Sequence, residues 1–128
     1  MREIKFRAKH GKEWVYGDLH LNSGKMPHIH PDPFTSKSID PKTVCQFTGL
    51  RDKNGKEIYE GDIVKSLAKK KGYIVFLQQE MGYVIVWDSC DTRLGHRNRG
   101  GGYEDDPSIE VVGNIYDNKE ILAKEVTL

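Results

Sequence analysis

Apolar and polar residues alternate with a period of two along much of this chain. In EIKFRA, Ile4, Phe6 and Ala8 fall on one side and Glu3, Lys5 and Arg7 on the other, the pattern of a strand with one buried face. EWVYGDLHL repeats it, with Val15, Leu19 and Leu21 on one face and Trp14, Tyr16, Asp18 and His20 on the opposite one. YIVFL and YVIVW are dense in β-branched and aromatic residues, and QQEMG joins them. A short connection containing glycine predicts a hairpin there. IEVVGNIY is a further strand, in which Gly113 marks a bulge or a close backbone approach. The helical signal is confined to NKEILAK, with Asn118 at the N-cap position. Residues 22–43 carry four of the five prolines and read as a loop holding at most one short strand.

The stretch TGLRDKNGKEIYEGDIVK is crowded with charge and turn residues. Asn54-Gly55 predicts a type I′ hairpin turn, because both central residues of that turn need positive φ. Cys45 to Leu50 and Glu57 to Val64 are the flanking strands. Gly61-Asp62 marks a second bend, where glycine supplies the conformation and aspartate bonds nearby backbone N–H groups. A calcium loop needs glycine at its sixth position and glutamate at its twelfth. Counted from Asp52, the glycine comes too early and Ile63 stands where the glutamate belongs. Asn54, Gly55, Gly61 and Asp62 are therefore read as turn residues.

The same stretch is very similar to the signature of the YopX family of phage and prophage proteins. REIKFRA near the start and VVGNIYDN near the end resemble its other blocks, and EWVYGDL resembles a variant found in many members. The resemblance implies a phage or prophage origin, a mostly β fold and a bacterial cytoplasmic location, and it implies no established activity. Two positions depart from the pattern. Cys45 stands where glycine is expected, which weighs against a nucleophilic role for it, and Lys119 stands where proline is expected, which loosens the start of the helix.

The fold class expected is mainly β, a single domain over residues 1–128. A small SH3-like barrel from Ile58 to Tyr116 is built around the Tyr73–Leu77/Tyr83–Trp87 hairpin. The N-terminal strands extend or cover it, and one short helix ends it. A chain of 128 residues buries a sufficient core without a metal or disulfide. Twenty basic against 19 acidic side chains leave a formal net charge of +1, so no global field favours nucleic acid or membrane. The N-terminus lacks the pattern of a signal or transit peptide, and no apolar run is long enough to span a bilayer. Cys45 and Cys90 are expected as two thiols of a cytoplasmic protein.

Several residue groups carry potential chemistry. His28 and His30 alternate within MPHIHPD, with Asp32 beyond. They could meet a transition metal, but no third ligand has suitable spacing, and no metal or other cofactor is expected. Cys45 lies among apolar residues, and Cys90 lies between acids that blunt a thiol. Trp14 is expected in the core, whereas Tyr16, Asp18 and His20 would make a binding surface if their face is open. Lys69, Lys70 and Lys71, and Arg93, Arg97 and Arg99 in the Gly-rich segment from Thr92 to Pro107, are candidate contacts to nucleic acid or a partner. That segment is expected to be a mobile loop with little to bury.

No triad, phosphate-binding glycine loop or complete metal motif is visible. The leading expectation is a non-enzymatic accessory protein that binds a host or phage macromolecule, a protein foremost, with self-association included. A weak nucleic-acid-binding module is the alternative, and an enzyme ranks third.

Overall fold

The alternating segments become antiparallel strands in the structure, a computed structural model that describes residues 4–20, 27–79, 81–87, 91–94, 96–97, 103–104 and 108–121. The strands are β1 (Phe6–His10), β2 (Glu13–His20), β3 (His28–Asp32), β4 (Thr35–Ser38), β5 (Cys45–Arg51), β6 (Glu57–Tyr59) and β7 (Asp62–Ser66). They continue with β8 (Lys71–Leu77), β9 (Gly82–Val86), β10 (Asp91–Arg93), β11 (His96–Arg97), β12 (Tyr103–Glu104) and β13 (Ile109–Asn114). The chain divides into two compact units, Met1–Phe47 and Thr48–Leu128, and the boundary falls within β5.

The N-terminal unit is a sheet in the order β4-β3-β2-β1-β5. Its register sets Arg7 opposite Tyr16, Lys9 opposite Trp14 and Asp18 opposite His30. Cross-strand partners share a face, so one face carries these polar and aromatic residues. The other face supplies a core of Ala8, Val15, Ile29 and Ile39, with Phe6, Leu19 and Val44 packed against it. Trp14 is not in that core. It is half-buried under cations, with Arg7 Cζ 4.7 Å and Lys9 Nζ 5.4 Å from its ring centroid. The alternation placed Trp14 on the right face, but that face is covered at this point by the cationic side chains of β1, which can lie on an indole through its π-face.

Residues 27–43 are more ordered than their prolines suggested, because each proline occupies a position that needs no ladder N–H. Pro31 lies where the β3–β4 register shifts between Ile29 and Asp32. Pro33 enters the two-residue turn after Asp32, its preferred place following an aspartate. Pro41 opens a short 3₁₀ turn, Pro41–Thr43, capped by the Asp40 side chain. That turn is laced to β1: Lys9 N–H donates to Thr43 Oγ1 at 2.8 Å and Asp40 N–H to the Lys9 carbonyl at 2.9 Å.

In the C-terminal unit the main sheet has the order β10-β9-β8-β7-β13. Its core is Ile58, Val64, Ile74, Ile85, Leu94 and Ile109. The Tyr73–Leu77/Tyr83–Trp87 hairpin forms as β8 and β9, with Tyr73 opposite Val86. Among the described residues the expected SH3-like closure does not occur. The sheet is open, with β10 and β13 at its two edges. Local alternation specifies which neighbours pair, whereas closing a barrel requires the first and last strands to meet. Gly113 sits at a register shift, and a Cβ there would lie 2.7 Å from Asn118 Oδ1. The Asn118 side chain accepts from Asn114 N–H at 3.2 Å rather than capping the helical turn that follows it at residues 119–121.

The segment from Thr92 to Pro107 is also not structureless. Arg93 pairs with Val84 in β10, and β11 and β12 form a two-stranded ribbon. Leu94 is buried in the core, and its N–H donates to the Tyr83 carbonyl at 3.1 Å. One apolar side chain in a polar stretch is too little to reveal a period.

Candidate functional site

The turn stretch resolves first. Gly55 has φ +81°, whereas Asn54 is not in the left-handed region. The turn is therefore not type I′. Gly55 N–H donates to the Asp52 carbonyl at 3.0 Å and Asp52 N–H to the Lys56 carbonyl at 2.9 Å, the arrangement of a tight turn followed by a glycine bulge. No atom would crowd a Cβ on Gly55, so Gly55→Ala is expected to cost only the backbone strain, about 1 kcal/mol, read by urea denaturation.

Asp52 organises this turn. Its carboxylate is buried, and Oδ1 accepts from Asn54 N–H at 2.8 Å and Lys56 N–H at 2.9 Å. Oδ2 accepts from Val111 N–H at 2.9 Å, and Lys53 N–H donates to the Ile109 carbonyl at 3.0 Å. The turn thus covers the outer edge of β13, satisfying backbone groups that an edge strand would otherwise expose. At the second bend Gly61 has φ +86°, and the buried Asp62 carboxylate accepts from Tyr59 N–H at 2.8 Å. Every partner named in this stretch belongs to the scaffold.

Among the described residues the strand register sets the backbone of Arg93 apart from the lysine turn. Lys69 and Lys70 are exposed at the β7–β8 turn, with Lys69 at φ +66°, and Lys71 is half-buried opposite Lys65. The ladder places the backbone of Arg93 level with Val84 and Val75. That is about 13 Å along β8 from Lys71 and about 10 Å across two strand spacings. Arg97 lies in the β11–β12 ribbon, and Arg99 falls outside the described residues. Cys90 also falls outside them, while Cys45 is buried and its thiol donates to the Thr43 carbonyl at 3.3 Å.

A hollow of about 650 Å³ opens on the polar face of the N-terminal sheet, lined among others by Lys5, Tyr16, Asp18, His20, His30 and Asp32. The strand ladder explains the gathering. Alternation sends Tyr16, Asp18 and His20 to one face, and the β2–β3 register brings His30 opposite Asp18. The rings of His20 and His30 lie 4.0 Å apart between centroids, tilted by 45°. Gly17 shapes the floor: it has φ +151°, and a Cβ there would strike the His30 carbonyl oxygen and come within 3.0 Å of Pro31 Cα.

Pro31 and Pro33 and the exposed Ile4 form an apolar rim. Beside Pro33, Phe34 is 94% exposed on the β3–β4 turn. Asp32 holds that turn, accepting from Phe34 N–H at 2.8 Å and from Thr35 N–H and Oγ1 at 3.0 and 2.9 Å. The Phe34 N–H bond, then the Thr35 hydroxyl, hold the Asp32 carboxyl below its usual range. A depressed carboxyl contributes its clamp above its ordinary titration range and loses it only as pH falls through the lowered value.

Two halves of this site are separate in the sequence: alternation puts Tyr16, Asp18 and His20 on one surface, whereas His28, His30 and Asp32 stand alone as a metal candidate. Among the described residues no group of three or more His, Cys, Asp or Glu is placed to hold a metal ion. The histidine-aspartate segment instead completes the wall of the β2 surface. The Asp32-Pro33 turn signature was the available signal that these residues form a hairpin. No helix among the described residues is long and apolar enough to cross a membrane.

The chain matches none of the curated proteins compared with it. Among solved structures it is similar to the crystal structure of protein EF1440 from Enterococcus faecalis. The TM-score is 0.58 and the identity 29%, over 95% of this chain and 99% of that one. Residues 5–123 match the profile of the YopX protein family, covering the sheet that bears the hollow and the edge-covering turn alike, and the chain belongs to that family.

Proposed function

We propose that this chain is a non-enzymatic accessory protein of phage or prophage origin. In this reading residues 1–128 act as one functional domain in the cytoplasm of the bacterial host, binding a host or phage protein through the polar face of the N-terminal sheet. The observation that carries it is the juxtaposition of accessible aromatic and apolar groups with polar ones around one hollow. Tyr16 is 45% exposed within it, Ile4 67% exposed on its rim and Phe34 94% exposed on the adjoining turn. Anchoring aromatics inside a rim of polar groups are the usual composition of protein-binding surfaces. Phe34 is presented on a turn already clamped by Asp32, which lowers the ordering cost of an interface.

The test is affinity capture of the tagged chain from infected or induced host cells, with and without nuclease. A specific protein retained after nuclease, and lost from Tyr16→Ser and Phe34→Ser variants with unchanged thermal stability, is the expected result. Retention that nuclease abolishes would replace this reading with nucleic-acid binding at the exposed Lys69 and Lys70. Capture unaffected by both substitutions would move the interface elsewhere.

A further inference from the structure

We propose that the hollow of the N-terminal sheet is a receptor for a guanidinium group, taking an arginine side chain of the protein partner. This deepens the protein-binding reading and rests on it. Two acidic residues, Asp18 and Asp32, line the hollow with one lysine, Lys5. The Lys5 Nζ lies 5.4 Å from the centroid of the Phe47 ring, so its charge is drawn to a ring of its own unit. Asp32 spends its oxygens on the β3–β4 turn but keeps its charge. The Asp18 side chain is exposed and its carboxylate has no hydrogen bond or ion pair among the described residues, which leaves both oxygens available for a bidentate contact.

The remaining walls suit a flat cation. A guanidinium is planar, weakly hydrated and stacks on rings, whereas an ammonium is compact and strongly hydrated. The Tyr16 ring and the tilted His20–His30 pair supply such faces, and a cation over an aromatic face gains further attraction. An imidazole in its neutral form also presents one ring nitrogen that can accept an N–H. Gly17 also lines the hollow. A single anion would meet two carboxylates at the same mouth.

The experiment is an NMR titration of the full chain with acetylated and amidated tripeptides, Gly-Arg-Gly, Gly-Lys-Gly and Gly-Glu-Gly, and separately with inorganic phosphate. Gly-Arg-Gly is expected to shift the resonances of Tyr16, Asp18, His20 and His30, binding more tightly than Gly-Lys-Gly. Gly-Glu-Gly and phosphate are expected to leave them unmoved. Asp18→Asn should weaken Gly-Arg-Gly about tenfold, with Asp18→Glu recovering part of the loss. Asp18 supports no other described group, so both variants should fold as the parent does, and the parent spectrum elsewhere checks it. Shifts caused equally by phosphate or Gly-Glu-Gly, equal affinity for lysine and arginine, or indifference to Asp18→Asn would each overturn the proposal. The protein-partner reading is scored separately, because capture that depends on Tyr16 and Phe34 stands even where no tripeptide binds.

Discussion

Asp52→Ala is expected to destabilise the C-terminal unit by about 3 kcal/mol, one of two large effects that single substitutions should reveal. The carboxylate accepts three backbone N–H groups, from Asn54, Lys56 and Val111. Hydrogen bonds to an ionised acceptor are worth about 1.5–3 kcal/mol each, and a buried donor left without one costs about 1–3 kcal/mol. The full sum is not reached, because Asn54 and Lys56 are exposed and water can replace the lost acceptor there. Val111 N–H is half-buried at the covered edge of β13 and less readily reached by water. Urea denaturation should show the loss, and amide exchange at Val111 should rise with it. Asp52→Asn is expected to fall between the two, since it keeps one acceptor oxygen and turns the other into a donor. A change within about 0.5 kcal/mol, the range of an ordinary surface substitution, would show that the turn holds its shape without the carboxylate.

Gly17→Ala is expected to separate β2 from β3 and to abolish the hollow, at about 3 kcal/mol. Two costs act together. The residue has φ +151°, outside the range that side chains readily adopt, and the new Cβ would strike the His30 carbonyl. The obstacle is backbone, so no side-chain rotation relieves it. The Cβ would also lie 2.9 Å from His30 C and 3.0 Å from Pro31 Cα, and the strands must part. Amide exchange should accelerate at residues 18–20 and 28–30, while β7, β8 and β9 keep their protection. Binding through the hollow should disappear together with the β2–β3 ladder. Retained protection in that ladder would mean that the sheet absorbs a methyl group by shifting register.

These two residues also mark how far the sequence could be read. Alternation in EIKFRA, EWVYGDLHL, YIVFL and YVIVW determined the strands, their buried faces and the central hairpin, because a period of two follows from the pleat itself and needs no partner. The TGLRDKNGKEIYEGDIVK block and its two companions determined the family. Gly113 announced a bulge or a close backbone approach, and the register shifts there. Turn chemistry located the chain reversal at Asn54-Gly55, but only the structure showed that Gly55 alone takes positive φ. The choice between a type I′ turn and a bulged one depends on what accepts the neighbouring N–H groups, and here the acceptor is Asp52.

Tertiary structure decided what depends on residues far apart in the chain. Asp52 meets Val111, a pairing that no local window contains. The main sheet stayed open because its edge strands do not meet, and strand patterns carry no information about closure. Residues 27–43 had too few apolar side chains for a period to show, so beyond the Asp32-Pro33 turn signature the β3–β4 hairpin emerged from pairing with β2. That pairing turned two unrelated polar segments, one ending at His20 and the other running from His28 to Asp32, into facing walls of one hollow. Each segment alone was an ordinary polar strand or loop. Their convergence is a property of strand register, which sequence constrains only where an apolar face must be buried.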